Sequence, residues 1–165
     1  ASWCFDSKIN EFDPDAANVG PKHVIEVKGR PGSFFNGFLI DVNHNGIVES
    51  VQDVSGTFDS ITGLFTALPN AMRLPPATYI LTDPSFTGGV GTDLNTVTGL
   101  NDFVTVCDAI GIPNSTATES ELYGEKLGGT DFSDPGFTPE LIFRDSINDE
   151  LYAIKDFDNV TSVVR

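Results

Sequence analysis

One stretch of the chain has residue types at a spacing that can do chemistry. Asp41-Val42-Asn43-His44-Asn45-Gly46-Ile47-Val48-Glu49 puts side-chain oxygens at positions 1, 3, 5 and 9 of a loop, with glycine at position 6. Alternating oxygens of this kind converge on a hard cation, Gly46 takes the sharp turn, and the Ile47 carbonyl adds a ligand. The spacing predicts Ca2+ held by Asp41, Asn43, Asn45, Ile47 and Glu49, with Asp53 as a late ligand. Position 12, where a helical calcium loop carries a bidentate Glu, is Gln52, so a full EF-hand is not expected. Neutral Asn43 and Asn45 in place of Asp make the expected site weak, of the extracellular class. The same residues also spell a hairpin tip, because Asn-Gly is the strongest short hairpin signal. The two readings are compatible: such a cation would brace the hairpin and catalyse nothing.

A second group of acids, Asp145, Asn148, Asp149 and Glu150 followed by Asp156, Asp158 and Asn159, has no ligand-loop spacing. Asp145 to Asp149 reads most simply as a solvated turn between two strands. Catalytic patterns are sparse. His23 and His44 are the two histidines, and neither stands in a nucleophile-elbow, Cys-His or zinc-protease pattern. Two histidines are too few for the usual zinc sites, and Gly88-Gly89-Val90-Gly91 lacks the Lys and helix of a phosphate cradle. The expectation is therefore no enzyme, with a carboxylate-pair hydrolase as the alternative, since a glycosidase needs only two acids. Aromatic walls for sugar are thin: one Trp and three Tyr, with the 13 Phe mostly at strand-period positions that read as core.

The elements that must position these residues are strands. Ile25 and Val27 alternate with Val24, Glu26 and Lys28, and Trp3, Phe5 and Ile9 with Cys4, Asp6 and Lys8. Alternation continues over 34–41, 51–58 and 61–68, with Asp59-Ser60 as a tight hairpin turn between the last two. Further strands are expected over 78–81, 103–110, 140–144, 151–157 and 160–164. Only residues 120–127 suggest a turn or two of helix. Short strands separated by Gly, Pro, Asn and Asp predict an all-β antiparallel sandwich or jelly-roll-like domain with long loops. The 165 residues suit one such domain, 1–165, in which residues 1–10 form an edge or exchanged strand. Residues 82–102 and 111–139 are irregular, and long loops in compact domains are commonly functional.

Charge and cysteine usage bound the setting. Nine Lys and Arg stand against 24 Asp and Glu, a formal charge of −15. Nucleic acid is an unsuitable partner for such a surface. No apolar run approaches the ~20 residues of a membrane helix. The sequence opens Ala1-Ser2-Trp3 without a charged-then-apolar leader, which reads as a mature, secreted or cell-surface chain freed of its signal peptide. In an oxidising exterior Cys4 and Cys107 would pair, the alternative being two separate buried thiols. Asn114 and Asn159 begin glycosylation sequons, which count only in a host that glycosylates exported proteins.

The segment from Phe38 to Phe58, strand, Asp-x-Asn-x-Asn-Gly loop and second strand, resembles a recurrent stretch in exported bacterial proteins sorted by a PEP-type C-terminal signal. The resemblance implies a β-rich surface or matrix component and supplies no catalytic residues. Together these readings predict an extracellular structural protein that self-associates by strand edges into a filament, matrix or surface layer. The alternative is a calcium-braced glycan-binding module whose polysaccharide would meet the 82–102 segment.

Overall fold

A computed structural model of the chain describes residue 4, residues 6–13, 24–69, 72–114, 122–133, residue 139, residues 141–156 and residues 159–164, with side chains as far as Ile154. Trp3, Phe5, His23, Asp158, the remainder of the first sequon and the side chain of Asn159 lie outside the described residues. The chain folds as an all-β sandwich of one six-stranded and one five-stranded sheet. The strands in chain order are β1 (Lys8–Phe12), β2 (Ile25–Lys28), β3 (Phe34–Asn43), β4 (Val48–Thr57), β5 (Leu64–Ala67), β6 (Ala77–Thr82), β7 (Val106–Ile112), β8 (Thr130–Asp131), β9 (Leu141–Arg144), β10 (Leu151–Asp156) and β11 (Asn159–Val164). The first sheet runs β11-β10-β9-β1-β2-β5 and the second β4-β3-β6-β7-β8. All pairs are antiparallel except the short β7–β8 contact.

Period-two alternation decides which side chains meet between the sheets. Ile9 and Phe12 of β1, Ile25 and Val27 of β2, Leu39 of β3, and Tyr79 and Leu81 of β6 share one buried cluster. Phe12 and Tyr79 touch across the layers, ring centroids 4.6 Å apart. The opposite face of the five-stranded sheet is buried too. Ile40, Val42 and Ile80 pack there against Phe86 and Leu94, from the 82–102 segment that the sequence suggested as a binding edge, and against Phe103 just beyond it. That segment carries the short helix α1 (Val97–Asn101), capped by Thr96, and Ile47 bridges to Asp93. It is a covering layer. This is why β6 is buried at every position.

Two expectations about connections change. The Asp59 turn forms, with Asp59 Oδ1 accepting from the Ile61 and Thr62 amides at 2.8 Å each. It joins β4 in one sheet to β5 in the other, so it closes a side of the sandwich and makes no hairpin. Buried Phe58 packs against Phe65 there and turns the chain between layers. Of the helix expected at 120–127, the described residues 122–127 carry a single 3-10 turn at Glu125–Leu127; Gly128 and Gly129 end it.

The third change concerns β1. It is an interior strand between β9 and β2, not an edge. Cys4 is disulfide-bonded to Cys107 on β7, 103 positions away, with Cα atoms 5.2 Å apart. The bridge fastens the segment preceding β1 to the opposite sheet.

Candidate functional site

The predicted loop is the tip of the β3–β4 hairpin. Asn43 Oδ1 accepts from the Asn45 amide at 2.9 Å and the Ile47 amide at 3.1 Å, while the Asn43 amide donates to the Ile47 carbonyl at 3.0 Å. Gly46 has φ 84° and faces Asn95 and Tyr123 so closely that a Cβ would lie 2.5 Å from Asn95 Nδ2. A side chain there is excluded both by backbone conformation and by space. The Asn45 carbonyl accepts from Asn95 Nδ2 at 2.8 Å. Asn43 and Ile47, two of the expected ligands, thus turn their oxygens inward to close the turn.

Asp41 and Glu49 are organised by a residue the spacing did not reveal. Asp41 is 1% exposed on the inner face of β3. Its Oδ2 accepts from the Arg73 amide at 2.7 Å, and its Oδ1 is buried without a hydrogen-bond partner. The Arg73 guanidinium reaches both Glu49 oxygens, at 3.1 and 3.2 Å, and lies 3.4 Å from His44 Nδ1. Asn43 Nδ2 also donates to Glu49 at 3.0 Å. That bond, followed by the charge and hydrogen bonds of Arg73, holds the Glu49 carboxyl below its ordinary range. Asp53 does not join the group: it is exposed on β4 opposite Phe38, three rungs from the Asp41–Ser50 pair. Among the described residues no three His, Cys, Asp or Glu side chains are gathered as a metal site. The orphaned Asp41 oxygen suits a cation, a proton or a water. Asn43 and Ile47 fit a calcium shell only if the turn releases them.

The second acidic group is a turn, as its spacing suggests. Asp145 Oδ1 accepts from the Ile147 amide at 2.7 Å, and Asp149 occupies the left-handed region at φ 62°. Asp149 also has a clamping role. Its carboxylate bonds Lys28 on β2 and lies 3.9 Å from Lys8 on β1. Partial burial pushes the Asp149 carboxyl up, but Lys28, Arg144 and Lys8 outweigh it and leave the group below its ordinary value. Asn114, the first sequon asparagine, is half-buried, with Nδ2 3.2 Å from the Pro75 carbonyl.

A different surface emerges on the outer face of the six-stranded sheet. The registers place Tyr152 opposite Phe143, Phe143 opposite Glu11, Glu11 opposite Glu26 and Glu26 opposite Thr66. One rung therefore crosses five strands as aromatic, aromatic, acid, acid, hydroxyl. Phe143 and Tyr152 stack with centroids 5.6 Å apart at 22°. A bulge between Ile9 and Glu11 lets Asn10 Nδ2 reach Glu26 Oε1 at 2.6 Å. Partial burial, and secondly the charge of Glu26, raise the Glu11 carboxyl above its ordinary value. The separation of these residues in sequence conceals the rung; paired acids at Glu11 and Glu26 in successive strands were its one visible trace. No protein-family model, curated protein or solved structure matches the chain.

Proposed function

We propose that this is an extracellular, non-catalytic structural protein that associates with copies of itself through the open edge of β4. The carrying observation is the edge itself: β4 is ten residues long and, among the described strands, pairs only with β3, although at its first residue the Val48 amide and carbonyl are already bonded to Thr92 and Gly91. Long unpaired edges are templates for further strands unless charge protects them. Here Glu49 and Asp53 supply that charge, and Arg73 neutralises only the first. The short β5 ends its own sheet beside β4 and shares a cavity of about 360 Å³ with it, lined by Gln52, Asp53, Ser55 and Leu68 among others. This side of the sandwich offers two neighbouring edges to an incoming copy. The disulfide fits an oxidising exterior.

Copies carrying −15 repel at long range, and salt screens that repulsion within about 8 Å at physiological ionic strength. Association therefore strengthens with salt. Calcium acts more strongly still, since it can bridge exposed carboxylates along facing edges, and Asp41 offers a weak resident site. Sedimentation velocity across protein concentration and ionic strength tests the reading. Wild type should shift to larger species as salt rises, and Asp53→Asn should do so at lower salt. A monomer at every concentration and salt, in both proteins, would sink the proposal.

A further inference from the structure

We infer that the strand received by the β4 edge is β11 of a second copy, running antiparallel, so that the six-stranded sheet of one copy continues into the five-stranded sheet of the next. The inference rests on the self-association proposed above and names the partner surface.

Length sorts the sheet ends first. Among the described strands, β4 and β8 end one sheet and β5 and β11 the other. β8 offers two residues, Thr130 and Asp131, and β5 offers four. The long ends are β4, with ten residues, and β11, with six. The first residue of β4 is already engaged, since the Val48 amide donates to the Thr92 carbonyl and the Val48 carbonyl accepts from the Gly91 amide. What remains, residues 49–57, is longer than β11 and can take all of it. Six residues of strand span about 20 Å.

Charge then chooses between the two long ends. Two β4 edges facing each other would bring Glu49 and Asp53 twice, with no cation on either strand. Like charges on facing strands destabilise the pairing. β11, Asn159–Val164, contains no charged residue, so it lacks the protection that edge strands carry against further pairing. Its flanks supply the direction. Asp156 and Asp158 precede Asn159–Val164 in the sequence or close the strand before it, and Arg165 follows. On β4 the stretch Val54–Thr57 is uncharged. An antiparallel partner therefore brings the Arg165 end toward Glu49, lays uncharged strand against Asp53, and sends Asp156 and Asp158 past Thr57. A parallel partner would carry those two acids toward Glu49. Asp53 loses water against an uncharged strand, which is why Asp53→Asn lowers the salt needed for association. Main-chain bonds supply the affinity, as in other strand additions.

The two surfaces differ, so the contact is heterologous. A copy that donates β11 keeps its own β4 edge open, and growth is head to tail, giving a filament and not a closed dimer.

Sedimentation velocity of the full chain tests this with two edge-blocked variants, at the salt and concentration where wild type associates. One carries Ser55→Asp with Thr57→Asp, at exposed positions of β4; the other carries Thr161→Asp with Ser162→Asp on β11. Each alone should stay at the monomer mass. An equal mixture should form a species of twice that mass and stop, because one variant still offers β11 and the other still offers β4. Arg165→Glu, outside the strand, should shift the association curve about threefold to higher concentration. If the β11 variant associates as wild type does, β4 pairs with itself and the inference fails while edge-mediated association stands. A mixture that stays monomeric while both variants keep the wild-type circular dichroism, or an Arg165→Glu curve that coincides with wild type, would overturn the partner in the same way. A wild type that is monomeric under every condition would overturn the inference together with the reading it rests on.

Discussion

Arg144 and Asp108 meet between the two sheets, Nη2 to Oδ2 at 2.7 Å, each side chain less than a tenth exposed. Both also hold the main chain of Ile9: its amide donates to Asp108 Oδ2 and its carbonyl accepts from Arg144 Nε, at 2.9 Å each. A buried pair is secure only when its remaining lone pairs and protons are satisfied; Ile9 does part of this, while Arg144 Nη1 donates to the Asp149 carbonyl and Asp108 Oδ1 accepts from the Ala109 amide. The contact falls where β1 bulges and its pairing with β9 extends only over Glu11 and Phe12. Two side chains thus stand in for missing ladder bonds and seat β1 in the middle of its sheet.

Breaking this pair from one side should be severe. Asp108→Asn leaves Arg144 buried without its counter-charge, and denaturant unfolding should show a loss of about 3–5 kcal/mol. The double variant Asp108→Asn with Arg144→Gln should recover part of that loss. Equal losses for single and double variants would mean that the pair is not coupled.

The disulfide is the second fastening of the same segment. Closing a loop across 103 positions stabilises by about 4–5 kcal/mol in the chain-entropy description. Cys4→Ser with Cys107→Ser should therefore lower the melting temperature strongly while the fold survives at room temperature, followed by far-ultraviolet circular dichroism. An unchanged melting temperature would show that the bridge constrains an already restricted chain.

Asp41 separates the two readings of the hairpin tip. Its Oδ1 is buried and unpartnered, and Asp41→Asn keeps an acceptor for the Arg73 amide, so it should leave stability within about 1 kcal/mol of wild type. Asp41→Ala strands the Arg73 amide and should cost about 1–3 kcal/mol. Calcium should raise the melting temperature of wild type and of neither variant. If chelator and calcium leave wild type alike, the hairpin is braced by its own bonds alone.

The pH dependence has two opposing parts. Glu49 and Asp149 sit below their ordinary values of 4.5 and 3.8. The stability they contribute is present at neutral pH and is lost as pH falls through the carboxylate range toward their folded values. Glu11 is raised above its ordinary 4.5, so its contribution runs the other way: stability rises as pH falls through its folded value toward 4.5. Stability measured from pH 7 downward should rise slightly before it falls. Glu11→Gln should abolish the rise and Glu49→Gln should soften the fall; a rise that persists in Glu11→Gln would reassign it to another acid.

Much of the fold was legible because alternation is a local property. Ile25 and Val27 read inward from sequence alone, and they are buried. Sheet membership is not local. The Asp59 turn looks like a hairpin by composition, and only the packing of Phe58 against Phe65 sends β5 to the other sheet. The 82–102 segment lacks strand periodicity because Phe86 and Leu94 bury singly from loops onto the outer face of another sheet, as does Phe103 just beyond it. At the hairpin tip the loop oxygens were visible, but Arg73, which lies 24 positions beyond Glu49, was not. The phenylalanines at strand-period positions read mostly as core; the registers place Phe143 outside, stacked beside Tyr152.

Hydrogen exchange at β4 tests the central claim most directly. Amide protection should be compared between dispersed protein at low salt and concentrated protein at high salt, residue by residue. The outward-facing amides of β4 beyond Val48, whose own amide already donates to Thr92, should gain protection on association, those of β3 and β6 should stay unchanged, and Asp53→Asn should show the gain at lower salt. Assembly that leaves β4 exchange unaltered, or no assembly with β4 equally open in both conditions, would contradict edge-mediated self-association.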